Sequence, residues 1–284
     1  MGSIRQNSLL QRVVTAVVLL ALLLSTLVYA TVIAWYGLSL LFIVLAAWEW
    51  GKIVKGPRTG LLLSLSSLIL GLLYVTGLKF MSPGLGMRVE TLGLWLCAGA
   101  CAYWLFIAPW QLTSSRSVKS GGGFLAIVLL LPAWIAVAQL RERGLVFLLT
   151  CLAIVWLADT AAYFSGRAFG RAKLAPSISP AKSWAGVYGA VIAVVAYFLV
   201  LAAFLQTPNL PRLLVQTLTF WGLIPVAIAL TAWSVIGDLF ESKLKRECQV
   251  KDSGNTLPGH GGVLDRIDAL LPVMPMCFVL SYWV

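Results

Sequence analysis

Long apolar runs follow one another along almost the whole chain, and they limit what it can fold into more than any other feature. Of its 284 residues, 60% are hydrophobic and only 11% are charged, whereas soluble domains carry roughly a quarter charged residues. The runs lack the alternation over about ten residues that marks membrane β-strands, so helices are expected to satisfy the backbone in lipid. The sequence therefore predicts an all-α, polytopic integral membrane helix bundle.

Apolar runs bounded by charges, Gly or Pro predict about nine transmembrane helices, since one span takes about 20 apolar residues. The predicted spans are approximately 13–29, 31–49, 60–80, 91–110, 123–139, 145–165, 184–206, 214–236 and 266–283. Little chain is left for a soluble domain. We therefore interpret residues 1–284 as a single membrane domain, with N-terminal spans in 1–140 and a C-terminal half in 141–284.

Lys and Arg residues are unevenly distributed between the two sides of this predicted bundle. If the N-terminus is cytoplasmic, sixteen of the 21 Lys and Arg residues fall on the cytoplasmic side, as the positive-inside rule expects. This distribution predicts an N-in, C-out orientation in which the polar loops 165–183 and 237–265 face the cytoplasm. The net charge of +11 is then explained by orientation and by contact with anionic membrane lipids, so no nucleic acid partner is predicted.

Charge is concentrated between Asp238 and Asp268, a stretch that holds eleven of the 31 charged residues. It contains two acidic pairs, Asp238 with Glu241 and Asp265 with Asp268. A spacing of three places both members of a pair on one helix face. Clustered carboxylates at the polar end of helices are natural ligands for Mg²⁺. The alternative is a helix end that forms surface salt bridges with neighbouring Lys or Arg residues.

A glycine-rich turn, Pro258 to Gly262, separates the two acidic pairs. Its glycines, including Gly261 and Gly262, let backbone N–H groups approach an anion closely. His260, the only histidine, suits hydrogen bonding or turn formation better than general base catalysis, because a phosphate nucleophile is already ionised. Cationic donors and a hydroxyl for phosphate lie nearby, at Lys245, Arg246, Lys251 and Ser242.

A second candidate site centres on Asp159, an acid inside the sixth predicted span. An intramembrane carboxylate indicates function by default, with bundle polarity or a proton path as alternatives. The following loop, 165–183, is rich in hydroxyls and cations and poor in acids, which suits phosphate but also fits an ordinary positive-inside loop. Its candidate phosphate-binding residues are Lys173, Ser179, Lys182 and Ser183.

Three motifs in the C-terminal half carry a family resemblance. They are Ser242-Lys243-Leu244-Lys245-Arg246, Lys251-Asp252-Ser253-Gly254 and Leu257-Pro258-Gly259-His260-Gly261-Gly262-Val263-Leu264-Asp265-Arg266-Ile267-Asp268. Together they resemble the signature of the phosphatidate cytidylyltransferases, also called CDP-diacylglycerol synthases. Stretches 159–183 and 237–242 also match, as does Trp48-Glu49-Trp50. The chain departs from the family pattern at Ala161, where Gly is usual, and at Ala185, where a polar residue is usual.

The resemblance implies transfer of the cytidylyl group of CTP to phosphatidic acid, giving CDP-diacylglycerol and pyrophosphate, with 141–284 as the catalytic half. It implies Mg²⁺ as cofactor, K⁺ as a further cation, and a homodimer in the inner membrane of a bacterial cell with its active site facing the cytoplasm. Asp238 and Asp265 would be metal ligands assisted by Asp268, and Ser242 and Lys245 would be needed for activity. The catalytic candidates are therefore Lys245, Ser242, Asp265 and Asp238. The candidates for substrate or phosphate binding are Arg246, Lys251, His260, Gly261, Gly262, Arg266, Lys173, Ser179, Lys182, Ser183 and Asp159.

Two other functions stay open from the sequence alone. Another membrane transferase acting on a lipid phosphate, such as a CTP-dependent polyprenol kinase or a phosphosugar transferase, would use similar charges. The tail from Asp265 to Asp268 after the His-Gly-Gly turn favours a cytidylyltransferase. A transporter could use Asp159 and Glu49 as intramembrane carriers, but the sequence lacks internal repeats and concentrates its charge on one side.

Overall fold

The structure, a computed structural model, describes residues 17–18, 21–22, 24–114, 116–259 and 261–283, and most of them are helical. The helices are α1 Val32–Lys55, α2 Pro57–Lys79, α3 Pro83–Ala102, α4 Ala108–Thr113, α5 Gly122–Glu142, α6 Leu145–Phe169, α7 Trp184–Phe204, α8 Leu210–Thr217, α9 Leu223–Glu247, α10 Leu264–Ile267 and α11 Leu270–Tyr282. A π-helical stretch, Tyr103–Ile107, joins α3 to α4, and short 3₁₀ turns lie at Lys119–Gly121 and Phe220–Gly222. Two short strands, β1 Lys173–Ala175 and β2 Ser179–Ser183, complete the described elements.

Seven helical segments within the described residues are long and apolar enough to cross a membrane. They are Val32–Lys55, Pro57–Lys79, Pro83–Thr113, Lys119–Glu142, Leu145–Phe169, Trp184–Phe204 and Phe220–Glu247. They correspond to the second to eighth predicted spans, so the helical membrane class is confirmed. The predicted count of about nine is not confirmed. The described residues of the first predicted span, 17–18, 21–22 and 24–29, are helical but interrupted by gaps. The ninth predicted span is divided between the short helices α10 and α11.

Both polar loops contain more regular structure than the sequence predicted. Helix α6 extends to Phe169, after which β1 and β2 form an antiparallel hairpin with Lys173 opposite Ser183. Helix α9 continues to Glu247, eleven residues past the predicted end at 236, so the first acidic pair and the Ser242–Arg246 motif are helical. The prediction of a loop over 237–265 was therefore wrong for its first eleven residues.

Aromatic packing fixes the position of α9 in the bundle. The ring of Phe240, which is 1% exposed, lies 5.2 Å from the ring of Trp104 and 6.2 Å from that of Trp50, centroid to centroid. Tilted and edge-on aromatic pairs of this kind add to the stabilisation from burial. Because Phe240 is buried between α1 and the π-helical stretch, the polar residues that follow it emerge at one end of the bundle.

The two ends of the bundle differ in polarity. At one end, the carboxylate of Glu142 accepts a hydrogen bond from Tyr36 at 2.5 Å and forms an ion pair with Lys79 at 2.5 Å. At the other end lie Glu49 of α1, the hairpin, and the chain from Glu241 to Asp268. The two polar loops therefore share one end of the bundle, as predicted, while the cytoplasmic orientation of that end stays a prediction.

Candidate active site

Lys245 is the centre of the first cluster of charges. Its ammonium nitrogen lies 2.7 Å from Oε2 of Glu241 and 2.6 Å from Oδ1 of Asp265. Glu241 precedes it by one helical turn on α9, whereas Asp265 belongs to α10. Lys245 thus joins the two signature segments. The second oxygen of Glu241 is buried and has no hydrogen-bond partner among the residues that the structure describes.

Asp265 is held from several sides. Its Oδ2 accepts hydrogen bonds from the backbone N–H groups of Gly262, at 2.9 Å, and Ser253, at 3.0 Å. Burial alone would raise the pKa of Asp265, but the hydrogen bonds, first that of Lys245, outweigh burial and lower the pKa from 3.8 to about 2. The carboxylate is therefore ionised at neutral pH. The glycine turn thus binds an anion of the chain itself, the Asp265 carboxylate, and the ion pair of Asp265 with Lys245 is one that the salt-bridge alternative predicted.

The turn requires glycine at two positions. Gly261 has φ +81°, a conformation that side chains disfavour. A Cβ on Gly262 would overlap the side chains of Ser253 and Glu49, so its missing side chain lets the turn close onto α1. His260 lies outside the described residues, and its predicted role stays a prediction.

Glu49, on α1, anchors the signature loop from Ser253 to Leu264. It is 1% exposed. Its carboxylate accepts four hydrogen bonds from the loop, namely from Ser253 Oγ at 3.2 Å, Thr256 Oγ1 at 2.5 Å, Val263 N at 3.0 Å and Leu264 N at 2.9 Å. The sequence alone indicated two roles for Glu49: part of the family motif Trp48-Glu49-Trp50, or an intramembrane carrier in a transporter. A lone acid between two Trp residues at a span end was the available signal.

A second cluster forms around Asp238. Its Oδ2 lies 2.6 Å from the ammonium of Lys182, and its Oδ1 accepts a hydrogen bond from Ser242 at 3.3 Å. Asp238 and Lys182 line a cavity of about 470 Å³ between α6, α7, α9 and the hairpin. The predicted site residues that line this cavity are Asp159, Ser179, Lys182, Ser183 and Asp238.

Asp268 connects the two clusters. Burial is the main cause, and the charge of Asp238 the next, that raises the pKa of Asp268 to about 8. The hydrogen bond that Asp268 accepts from the N–H of Ala269, at 2.7 Å, acts in the opposite direction. A pKa raised by a neighbouring carboxylate requires the two groups to be close. Asp265 is thus directed to Lys245 and Asp268 to Asp238, and the predicted metal set of Asp238, Asp265 and Asp268 stays a prediction.

The remaining candidates lie around these clusters. Arg246 donates from Nε to the carbonyl of Ile178 at 3.4 Å and so ties α9 to the hairpin turn. Ser183, buried, caps α7 by accepting from the N–H of Gly186 at 3.2 Å. Lys173 and Lys251 are exposed, and neither belongs to the described cavity lining. Arg266 is exposed and borders a different cavity.

Two further residues of the signature helix hold the segment before α5. Lys243 Nζ donates to the carbonyls of Ser114 and Arg116, both at 3.1 Å, and to that of Gln111. The carboxylate of Glu247 accepts from Ser117 Oγ at 2.7 Å, Lys119 N at 2.9 Å and Val118 N at 3.2 Å. These contacts give Lys243 and Glu247 structural roles, which sequence spacing alone did not indicate.

The acidic residues fit a divalent cation. Among the described residues, no three His, Cys, Asp or Glu side chains form a ready-made metal site, but Mg²⁺ is usually bound through one or two carboxylates together with waters and substrate phosphates. Asp238 and Asp265 each hold a Lys ammonium at 2.6 Å, so both carboxylates already accept a cationic partner. Hard oxygen donors of this kind suit Mg²⁺ or K⁺.

Fold and site define a multi-pass membrane protein with a charged cavity at one end of its helix bundle. The sequence from residue 10 to 284 matches the model of the cytidylyltransferase family. The chain is 37% identical to the phosphatidate cytidylyltransferase of Haemophilus influenzae, over 96% of this chain and 99% of that protein. It is 35% identical to the phosphatidate cytidylyltransferase of Pseudomonas aeruginosa, over 96% of both. The chain therefore belongs to the cytidylyltransferase family.

Proposed function

We propose that this protein transfers the cytidylyl group of CTP to phosphatidic acid, forming CDP-diacylglycerol and pyrophosphate for phospholipid synthesis. The observation that carries the proposal is the charged cavity, where Lys182 pairs with Asp238 at 2.6 Å at the end of an apolar helix bundle. A water-soluble nucleotide and a membrane lipid can both reach such a position. The names of the two relatives above support this choice of substrates.

The chain's residues would act mainly by positioning and electrostatics. Lys182, Ser179 and Ser183 line the cavity and suit the triphosphate of CTP, because cations and hydroxyls donate to phosphate oxygens. Lys245 lies two turns after Asp238 on α9, where its positive charge stabilises the negative charge that develops as pyrophosphate leaves. An oxygen of the lipid phosphate attacks the α phosphorus, and the bond to pyrophosphate breaks. The nucleophile is already ionised, so no general base is required.

Mg²⁺ would be held by Asp238 and Asp265, with Asp268 assisting, and K⁺ would be a second cation at the same acidic cluster. When bound, Mg²⁺ supplies positive charge that neutralises the phosphates. Five carboxyl groups lie in the two clusters, those of Asp159, Asp238, Glu241, Asp265 and Asp268, and the described cations beside them are Lys182, Lys245 and Arg167. This surplus of carboxyl groups supports a cation requirement, because a bound cation would favour their ionised forms.

We also propose that the protein is a homodimer in the inner membrane of a bacterial cell, with the charged cavity facing the cytoplasm. The bacterial origin of the relatives and the distribution of Lys and Arg support this location. Nucleotides are then available on the side where the cavity opens.

Pyrophosphate release by the purified protein in detergent micelles tests the proposed reaction. We expect release only when CTP, phosphatidic acid and Mg²⁺ are all present, and none when ATP replaces CTP. Asp265→Asn should stop release while the protein stays folded, because the amide removes a charge that a cation needs, while its one oxygen can still accept from the N–H groups of Gly262 and Ser253. Release with ATP as efficiently as with CTP, or no release by folded protein under any combination, would contradict the proposal.

A further inference from the structure

A second cavity, of about 220 Å³, lies between α1, α5, α6 and α11. It shares none of its described lining residues with the charged cavity. Its walls are mainly aromatic and aliphatic side chains, among them Trp35, Phe42 and Met274. An apolar cavity of this kind inside a membrane bundle suits a hydrocarbon ligand.

The cavity extends along α1 from the end of the bundle that holds the signature loop towards the opposite end. At the polar end it is bordered by Leu257, Val263 and Arg266 of the signature loop and α10. Helix α1 lines it from Ile43 back to Trp35, a rise of about 12 Å at 1.5 Å per residue. A ligand in this cavity would therefore lie parallel to the spans, as lipid chains do.

The wall of this cavity carries few polar groups. Among the described lining residues, Arg266 is the only charged side chain and Ser39 the only hydroxyl. Ser39 already donates to the carbonyl of Trp35 at 2.7 Å and accepts from Nε1 of Trp134 at 3.1 Å. The cavity thus presents a cation at its polar end and hydrocarbon below it. This arrangement is complementary to an anionic headgroup with an acyl chain attached.

We propose that this cavity binds one acyl chain of the phosphatidic acid substrate, with the lipid phosphate beside Arg266. The inference rests on the proposed function and assigns a place to its lipid. Arg266 lies between Asp265 and Asp268, and two residues span at most about 7 Å, which keeps the phosphate close to the acidic clusters.

Two leucines on α1 provide a matched pair of variants. Leu38 is half-buried and lines the cavity, whereas Leu41, on the same helix, is 52% exposed and does not belong to the described lining. We expect Leu38→Trp to raise the KM for dioleoyl phosphatidic acid at least about tenfold. A change of this size is expected if about two methylene groups of the acyl chain are displaced from the cavity. The KM for CTP and for dihexanoyl phosphatidic acid should change less than about twofold in the same variant. Leu41→Trp should leave all three values unchanged.

A labelling experiment tests the site without relying on turnover. Phosphatidic acid with a diazirine near the end of one acyl chain is photolysed with wild-type protein in phosphatidylcholine vesicles, and the labelled peptides are identified by mass spectrometry. We expect label on the cavity-lining parts of α1 and α11, reduced at least about fivefold by Leu38→Trp and not by Leu41→Trp. If Leu38→Trp does not fold, Leu270→Trp tests the same cavity from α11.

The outcomes separate this inference from the proposed function. Equal labelling by a phosphatidylcholine probe, equal effects of the two leucine variants, or label confined to other helices would overturn the inference even if CTP turnover is normal. Selective labelling of the cavity together with a lack of turnover would support the lipid site and contradict the proposed reaction.

Discussion

Lys245 and Lys251 lie six residues apart but in different surroundings, and the difference gives the first prediction. The Lys245 ammonium contacts Glu241 and Asp265 at 2.7 and 2.6 Å, whereas Lys251 is exposed. We expect Lys245→Ala to lower kcat by about 100-fold or more, as the loss of a preorganised charge does elsewhere. Lys251→Ala should lower it less than about fivefold, because exposed charges contribute little. Equal losses in steady-state assays would contradict the assignment of Lys245.

Glu49 gives a second prediction at the scale of single residues. In Glu49→Gln an amide NH₂ replaces one oxygen and cannot accept from the backbone N–H of Val263 or Leu264. We expect a destabilisation of about 2–4 kcal/mol, typical of unsatisfied buried donors, and a kcat reduced about tenfold or more as Asp265 loses its support. Thermal unfolding and turnover measure the two effects.

Glu142→Gln is the matched control, since Glu142 accepts from Tyr36 and Lys79 at the opposite end of the bundle. It should affect stability but leave the kcat of the folded protein unchanged. A loss of kcat in the control as large as that in Glu49→Gln would mean that Glu49 acts only through overall stability.

Sequence spacing accounts for some of these contacts and not for others. The pair Glu241 and Lys245 is one helical turn apart, so a helical pattern predicts it. Glu49 lies 204 residues before Ser253, and no periodicity relates the two. Lys182 and Asp238 meet only because the hairpin folds over α9. Contacts of this kind depend on packing between elements, which a single sequence does not reveal.

At the scale of elements, α9 carries most of the site on one continuous helix. Hydropathy indicates an end at about 236, where charges begin, but the backbone stays helical to Glu247. The added segment is rich in Leu, Glu, Lys and Arg, which favour helices, and its Lys245 and Glu241 pair across one turn. The predicted span ends therefore show where the apolar sequence stops, but they do not show where the helix ends.

The last turn of α9 should determine the order of the segment before α5. Glu247 accepts from Ser117 Oγ and from two backbone N–H groups. We expect Glu247→Gln to increase hydrogen exchange of the amides at 118 and 119 about tenfold, because a charge-assisted hydrogen bond is weakened. Exchange in α7, which lies outside these contacts, serves as the internal control. Unchanged exchange at 118 and 119 would show that this carboxylate does not hold the segment.

At the scale of the whole molecule, alternation of the helices places the charged cavity and the Glu142 cluster at opposite ends. The exposed Lys251 lies at the cavity end, and Arg143, just after α5, lies at the other end. We expect Lys251→Cys to react with a membrane-impermeant thiol reagent only after the inner membrane is opened, and Arg143→Cys to react in intact spheroplasts. The half-buried Cys248 would be replaced by Ser, since the other four cysteines are buried. The reverse pattern would contradict the N-in orientation.

The class of fold was predictable at this scale because apolar composition alone demands membrane helices. The number of spans was harder to predict. Helix α11 is 13 residues long, shorter than a usual span, and Asp268 separates it from α10. The predicted ninth span treated this broken segment as one helix, because hydropathy averages over the polar residues at the break.

The fate of the phosphates of CTP distinguishes cytidylyl transfer from phosphorylation of the lipid. Purified protein is given phosphatidic acid, Mg²⁺ and CTP labelled at either the α or the γ phosphorus, and the label in the lipid fraction is measured. Cytidylyl transfer predicts that the α label enters the lipid and that the γ label is released with pyrophosphate. A γ label found in the lipid, with the α label left in CDP, would instead identify a lipid kinase and contradict the account.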